Sequence, residues 1–226
     1  IEGEAGIGKS RLLEIFTGYI ASQGARVLHP RLSLSEKAPL ATLMTALKPL
    51  LTQQTLAKLS LDRLSVLSSI FPQIMERFGP LPELPPLSPQ AERQRLYLAL
   101  SELTAAEEKP TLLVIDDAHR MTGESVDLLN LLTESLLVLL SCRSEDTPLD
   151  HPIRRAFGKG GLKLLPLSEI AIDSILKQLS GQENESITSQ ISRLSGGNPL
   201  FVVSLLGHMF ETGQLYVDAN GGWGLA

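Results

Sequence analysis

The octapeptide GEAGIGKS, Gly3 to Ser10, constrains this chain more than any other stretch of it. It fits G-x-x-x-x-G-K-[ST], in which backbone N–H groups surround phosphate oxygens, a lysine neutralises charge and a hydroxyl reaches magnesium. Gly3, Glu4, Ala5, Gly6, Ile7, Gly8, Lys9, Ser10 and the adjoining Arg11 are therefore the candidate nucleotide-contacting residues, with Lys9 also a candidate catalytic cation and Ser10 a metal ligand. A plain glycine-rich turn would carry the same letters, so the following residues matter. Leu12, Leu13, Phe16, Tyr19 and Ile20 recur at helical spacing, and Gly24 is placed to end that helix. A loop that opens a helix puts free N–H groups and the positive end of the helix dipole beside a bound anion.

The second informative stretch is TLLVIDDAH, a run of β-formers ending in the paired carboxylates Asp116 and Asp117. A phosphate–magnesium site needs a carboxylate at a strand tip to hold the metal, and often a second acid to orient an attacking water. Asp116 is the expected metal residue and Asp117 the expected base; a strand closing in an Asp-rich turn is the alternative. A third strand is expected in LLVLLSCRS, Leu136 to Ser144, whose polar end offers Ser141 and Arg143 to a γ-phosphate or its attacking water. For Arg143 a surface ion pair is an equal alternative. Cys142 reads as a small buried residue. The predicted helix before this strand runs into it with almost no loop, so the junction near Ser135 is expected to be incomplete.

Composition narrows the class of partner. A formal net charge of −5 and a pI near 5.4 argue against a surface built on nucleic-acid phosphates. Four scattered histidines (His29, His119, His151, His208) lack zinc-ligand spacing, and a single cysteine excludes an internal disulfide. Apolar runs such as LLVLL are far shorter than the roughly 18 residues of a membrane span. A cytoplasmic setting without membrane is the expectation. No initiator Met opens the sequence and only Ile1 and Glu2 precede the loop, so the chain reads as an excised fragment whose first strand is stunted or missing.

Between the motifs the pattern is α/β. A short strand interrupted at Pro30 is followed by helices over PLATLMTALKPLLTQQ, LDRLSVLSSIFPQI and AERQRLYLALSELTAAEE, with the proline-rich connection GPLPELPPLSP before the last. LKLLPLS is expected as the last sheet strand, beyond a boundary marked by Gly160 and Gly161. SEIAIDSILKQLSG, ESITSQISRLSG and NPLFVVSLLGHMFETG then predict three helices. The tail reads as a hairpin about Asn220-Gly221 with Trp223 as packing anchor.

GEAGIGKSRLL, ERQRLY before LLVIDDAH, LLVLLSCRSED and above all LSGGNPLFVVSLL together resemble the STAND-class signalling ATPases, within the AAA-like P-loop group. The resemblance covers nearly the whole chain. It implies a P-loop NTPase parallel sheet of five strands flanked by helices, here with its first strand truncated, spanning 1–166, and a C-terminal helical lid subdomain spanning 167–226. It also makes the glycine-rich motif a Walker A and the acidic motif a Walker B, and places Gly197, Asn198 and Pro199 at the head of a lid helix, with Pro199 approaching the nucleotide. Capping of that helix is the alternative reading of the three residues. The implied ligands are ATP or ADP with Mg²⁺; the implied partners are sensor and effector domains of a larger chain and an ATP-dependent oligomer. Family members often carry an aromatic after the paired Asp, whereas this chain reads AHRMTGES. The expected function is a Mg-dependent ATPase switch of a larger regulator; a nucleotide-stabilised scaffold and a small-molecule kinase are the alternatives.

Overall fold

The computed structural model describes residues 1–30, 39–157, 161–181, 183–218 and 222–225. In chain order the elements are β1 Glu2–Gly3, α1 Lys9–Ser22, β2 Arg26–Leu28, α2 Pro39–Ala46, α3 Gln53–Leu56, α4 Leu61–Ser68, α5 Gln73–Phe78, α6 Pro89–Ala105, β3 Thr111–Ile115, α7 Gly123–Leu132, β4 Leu137–Leu140, β5 Cys142–Arg143, α8 Pro152–Phe157, α9 Glu169–Ser180, α10 Glu185–Ser195, α11 Pro199–Glu211, β6 Leu215–Val217 and β7 Trp223–Leu225. The chain divides into two compact units, one of Leu12–Gly161 and one of Ile1–Arg11 with Leu162–Ala226.

In the unit Leu12–Gly161 a parallel sheet runs in the order β2-β3-β4, with Val27 beside Leu112 and Ile115 beside Leu140. All five residues of β3 are buried. That is the environment of a central parallel strand, and it explains why the strand reads as an unbroken apolar run. Leu28, Leu113 and Ile115 share a core with Leu67, Leu100 and Leu129 of helices α4, α6 and α7 and with Leu47 and Phe71 of the connecting turns. Ser88 caps α6 by accepting from Ala91 N–H, and Pro89 stands in its first turn, where a missing N–H costs nothing. The proline-rich segment before it is held by Ser65, which donates to the Pro82 carbonyl at 2.7 Å, and by Arg95, which donates to Pro85 at 3.0 Å.

Two of the predicted helices are broken. The first becomes α2, a short 3₁₀ turn over Lys48–Leu50 and α3, because Pro49 has no N–H for a continuous helix and Thr52 starts the next turn in a capping box with Thr55. The second splits into α4 and α5 at Pro72, again a proline. The junction at Ser135, expected to be incomplete, is a tight connection. Leu136 N–H bonds to Leu132 O at 2.9 Å, and the Ser135 hydroxyl meets that of Thr104 at 2.6 Å.

In the other unit α9, α10 and α11 occupy the three predicted helical stretches and close a small core of Ile172, Leu176, Ile187, Ile191, Val202, Leu206 and Met209. Side-chain caps start each: Ser168 to Ala171 N–H, Asn184 to Ile187 N–H, Asn198 to Leu200 N–H. β6 and β7 pair antiparallel as the hairpin, with Trp223 edge-on to Phe210 at a centroid distance of 4.9 Å. Its Asn220-Gly221 turn, like Gly160, lies outside the described residues. LKLLPLS forms no regular strand: only Lys163 bridges Glu2, in parallel, through Glu2 N–H to Leu162 O and Leu164 N–H to Glu2 O, both 2.8 Å. Pro166 has no donor for a ladder, and Leu167 N–H goes to Gly197 O at 2.8 Å. Among the described residues the parallel sheet of Leu12–Gly161 thus has three strands, where the resemblance implies five in all.

Candidate functional site

The loop between β1 and α1 is shaped by two glycines with positive φ, Gly6 at +78° and Gly8 at +101°. An added Cβ at Gly8 would meet no heavy atom within 4 Å, so the backbone angle alone asks for glycine there. Ile7 N–H bonds back to Glu4 O at 3.3 Å. Lys9 begins α1, is 6% exposed, and donates from Nζ to Gly3 O at 2.8 Å and Glu4 O at 2.7 Å. The loop's own carbonyls thus satisfy a buried ammonium that would otherwise be costly. The first turn of α1, Lys9 to Leu12, contains two cations and no carboxylate. Cations at that end oppose the helix dipole, at about 0.3–1 kcal/mol each when exposed, an arrangement that suits an anionic ligand. The Ser10 hydroxyl and a carboxylate are oxygen donors of the kind Mg²⁺ prefers.

The loop's outer side is held from the far end of the chain. Asn198 donates from Nδ2 to Ala5 O at 2.9 Å, and Leu200 N–H reaches Gly6 O at 3.3 Å. A Cβ at Gly6 would lie 2.8 Å from the Leu200 Cβ and 2.9 Å from Asn198 Oδ1. Pro199, the predicted nucleotide contact, is the first residue of α11. Its neighbours Asn198 and Leu200 make those hydrogen bonds to the loop.

In the unit Leu12–Gly161 the end of β3 carries the second cluster. Asp117 has φ +56°, the only positive φ of a non-glycine among the described residues. Such backbone strain recurs at functional positions. The Asp117 N–H, in the peptide unit before that turn, bonds to Asp116 Oδ1 at 3.1 Å and Ser141 Oγ at 3.2 Å. Ser141, fully buried after β4, donates its hydroxyl to Asp116 Oδ1, while Ala118 N–H takes its carbonyl at 2.7 Å. Three cationic or titratable groups approach the Asp117 carboxylate without bonding it: Arg120 at 3.6 Å, Arg143 at 3.8 Å and His119 at 3.9 Å. Asp146 links the far side, 3.6 Å from Arg143 and 3.7 Å from His119. Burial holds the His119 imidazole below the ordinary histidine range; Asp117 and Asp146 oppose that shift, and Arg143 and Arg120 reinforce it.

Gly3 through Arg11 and Pro199 fall in one unit, and Asp116, Asp117 and Arg143 in the other. Arg143 is an ion-pairing residue here, part of the Asp117–Asp146 cluster, and Ser141 is the hydroxyl that holds Asp116. Sequence reasoning passed over Asn198 as a loop contact, and His119 and Asp146. The available signals were the cap position of Asn198 before Pro199 and the polar residues flanking both strand ends. Among the described residues no group of three or more His, Cys, Asp or Glu is disposed to hold a metal, and no helix is long and apolar enough to cross a membrane.

A family described as AAA ATPase domain matches residues 1–140. A solved structure from Pyrococcus horikoshii, a Signal Transduction ATPase with Numerous Domains (STAND) protein with a tetratricopeptide repeat sensor, is similar with a TM-score of 0.47 and 14% identity. That alignment covers 89% of this chain and 26% of the other, so the chain spans about a quarter of that protein's length. No curated protein matches the chain.

Proposed function

The chain belongs to the AAA ATPase domain family, and from that membership we propose that it binds ATP with Mg²⁺ and hydrolyses it slowly, as a regulatory switch within a larger STAND-class signalling protein. One observation carries the reading furthest: a loop bent by Gly6 and Gly8 delivers Lys9 to the head of a 14-residue helix whose first turn holds cations and no acid. In this proposal Gly3 to Arg11 receive the phosphates, Lys9 exchanging the Gly3 and Glu4 carbonyls for phosphate oxygens. Ser10 and Asp116 would hold Mg²⁺, which supplies charge neutralisation at the phosphates. Ser141 orients Asp116. Asp117 takes the proton of the attacking water, with Arg143 and Arg120 fixing the direction of its carboxylate.

Calorimetric titration with Mg-ATP and single-turnover hydrolysis test this together. Lys9→Ala should weaken ATP binding about 10- to 100-fold, the worth of hydrogen bonds to a charged group. Asp117→Asn should retain ATP and lose about 100-fold or more in turnover, as expected on removing a general base. ATP binding unaffected by Lys9→Ala would defeat the loop assignment. Equal turnover by wild type and Asp117→Asn would leave a nucleotide-stabilised scaffold as the better description.

A further inference from the structure

The amide of Asn198 does two jobs at once. Its Oδ1 accepts from Leu200 N–H at 3.1 Å, capping α11, while its Nδ2 donates to Ala5 O at 2.9 Å in the middle of the phosphate loop. The side chain is oriented by these partners, because a reversed amide would set donor against donor and acceptor against acceptor. Asn198 is 7% exposed, so neither bond is exchanged readily for water. Around it the contact is close: Gly6 cannot carry a Cβ without striking Leu200 and Asn198, and Leu200 N–H adds a second bond to the loop, at Gly6 O.

The Gly-Asn stretch is itself immobilised from behind. Gly197 has φ +77°, and an added Cβ would fall 2.4 Å from Leu167 O. Its carbonyl accepts from Leu167 N–H, and its N–H bonds to Ser195 Oγ at 3.1 Å. Asn198 is therefore held to the segment leading into α9 as well as to α11. At the loop's start the same segment recurs, since Gly3 is packed within a Cβ's reach of Leu164 and Glu2 bridges Lys163. Both ends of the Gly3–Gly6 arc rest on residues more than 150 positions away in sequence.

We propose that Asn198 is a positioning residue of the phosphate loop: its carboxamide fixes the Ala5 and Gly6 peptide units against the first turn of α11, so that the loop's grip on the phosphates of a nucleotide is set by the C-terminal helices. This rests on the reading of Gly3–Ser10 as a nucleotide site. It assigns the Gly-Asn-Pro stretch a contact with the protein's own loop, distinct from a contact with the nucleoside. The two roles separate by phosphate number. A loop-positioning residue matters for ligands that place phosphates in the loop and is silent for those that do not reach it; a residue touching the base or ribose affects adenosine and its nucleotides alike.

The test uses the full chain and titrates adenosine, ADP and ATP with Mg²⁺ into wild type, Asn198→Asp, Asn198→Ser and Lys9→Ala. Asn198→Asp keeps an oxygen for the Leu200 cap but replaces the donor to Ala5 O with an acceptor. Asn198→Ser also keeps a cap and loses the amide donor, and it decides the matter if the aspartate variant does not fold. The expected result is ADP and ATP affinities lower by about tenfold, the worth of one buried hydrogen bond left unmade, with adenosine unchanged. An equal loss for adenosine, ADP and ATP would overturn the proposal in favour of direct nucleoside contact. Unchanged ATP affinity in both Asn198 variants, alongside a loss in Lys9→Ala, would overturn it while leaving the nucleotide site standing. Unchanged affinity in Lys9→Ala would remove the site and this proposal with it.

Discussion

Asp117 and His119 show how much of the second cluster depends on single residues. The left-handed turn at Asp117 lets two adjacent carboxylates diverge, Asp116 toward Ser141 and Asp117 toward Arg120, Arg143 and His119. His119 buries Nδ1 without a hydrogen-bond partner, and its ring faces Asp117, Asp146, Arg120 and Arg143. Because its folded value lies below its unfolded one, the unfolded chain holds a proton between the two while the folded chain does not. The sign follows: stability is complete above the ordinary histidine value of 6.5 and falls as pH drops through it toward the folded value. Urea unfolding at pH 7.5 and 5.5 should show a lower midpoint at the acid end, and His119→Gln should flatten that difference. Glu108 and Glu183, whose values are lowered by Lys58 and Lys177, act only below the carboxylate range and leave the window clear. An identical pH dependence in the variant would assign the loss to another group. At this scale the acids were legible, because paired carboxylates after a β-run are a local pattern. Asp146 and His119 were not, because their relation to Asp117 is made by the fold.

At the scale of elements, what the sequence showed and hid divides along one line. α1, α6 and the three helices α9 to α11 follow from apolar spacing and caps read locally, as does β3 from its apolar run. The long helices predicted over 39–54 and 61–74 overlooked Pro49 and Pro72, each of which removes an N–H that a continuous helix would use. LKLLPLS misled in the opposite direction: its composition suits a strand, but the backbone of Leu167 is taken by Gly197. That pairing makes Gly197 an exacting position. Gly197→Ala would put a Cβ 2.4 Å from a backbone oxygen and force φ +77° on a residue that resists it. A loss of about 1–3 kcal/mol is expected from backbone strain of this kind, read as a lower denaturant midpoint with the slope unchanged. Gly181→Ala, which also has positive φ but meets nothing within 4 Å, should cost less. Equal effects would mean that the angle, and not the Leu167 contact, dominates at Gly197.

For the whole molecule, the division into units places the phosphate loop with the helices at the other end of the chain: Ile1–Arg11 cluster with Leu162–Ala226. The motif is local in sequence, yet its supports at Leu164, Asn198 and Leu200 lie beyond the 1–140 stretch that matches the family. No sequence period could announce that arrangement, since it is made by contacts across nearly the full chain. It has a thermodynamic consequence. A ligand that binds only the folded state stabilises whatever folds with its site, by about 2.7 kcal/mol at a hundredfold excess over its dissociation constant. If the loop holds ATP, the beneficiary includes α9, α10 and α11. Hydrogen exchange across residues 169–211 should therefore slow on adding Mg-ATP, most strongly in the first turn of α11, where Asn198 and Leu200 meet the loop. The slowing should shrink in Asn198→Asp at equal saturation, because the ligand would then stabilise a loop no longer bonded to Asn198. Exchange in α9 to α11 unchanged by saturating ATP would show that nucleotide held at the loop is not felt by the helices that support it.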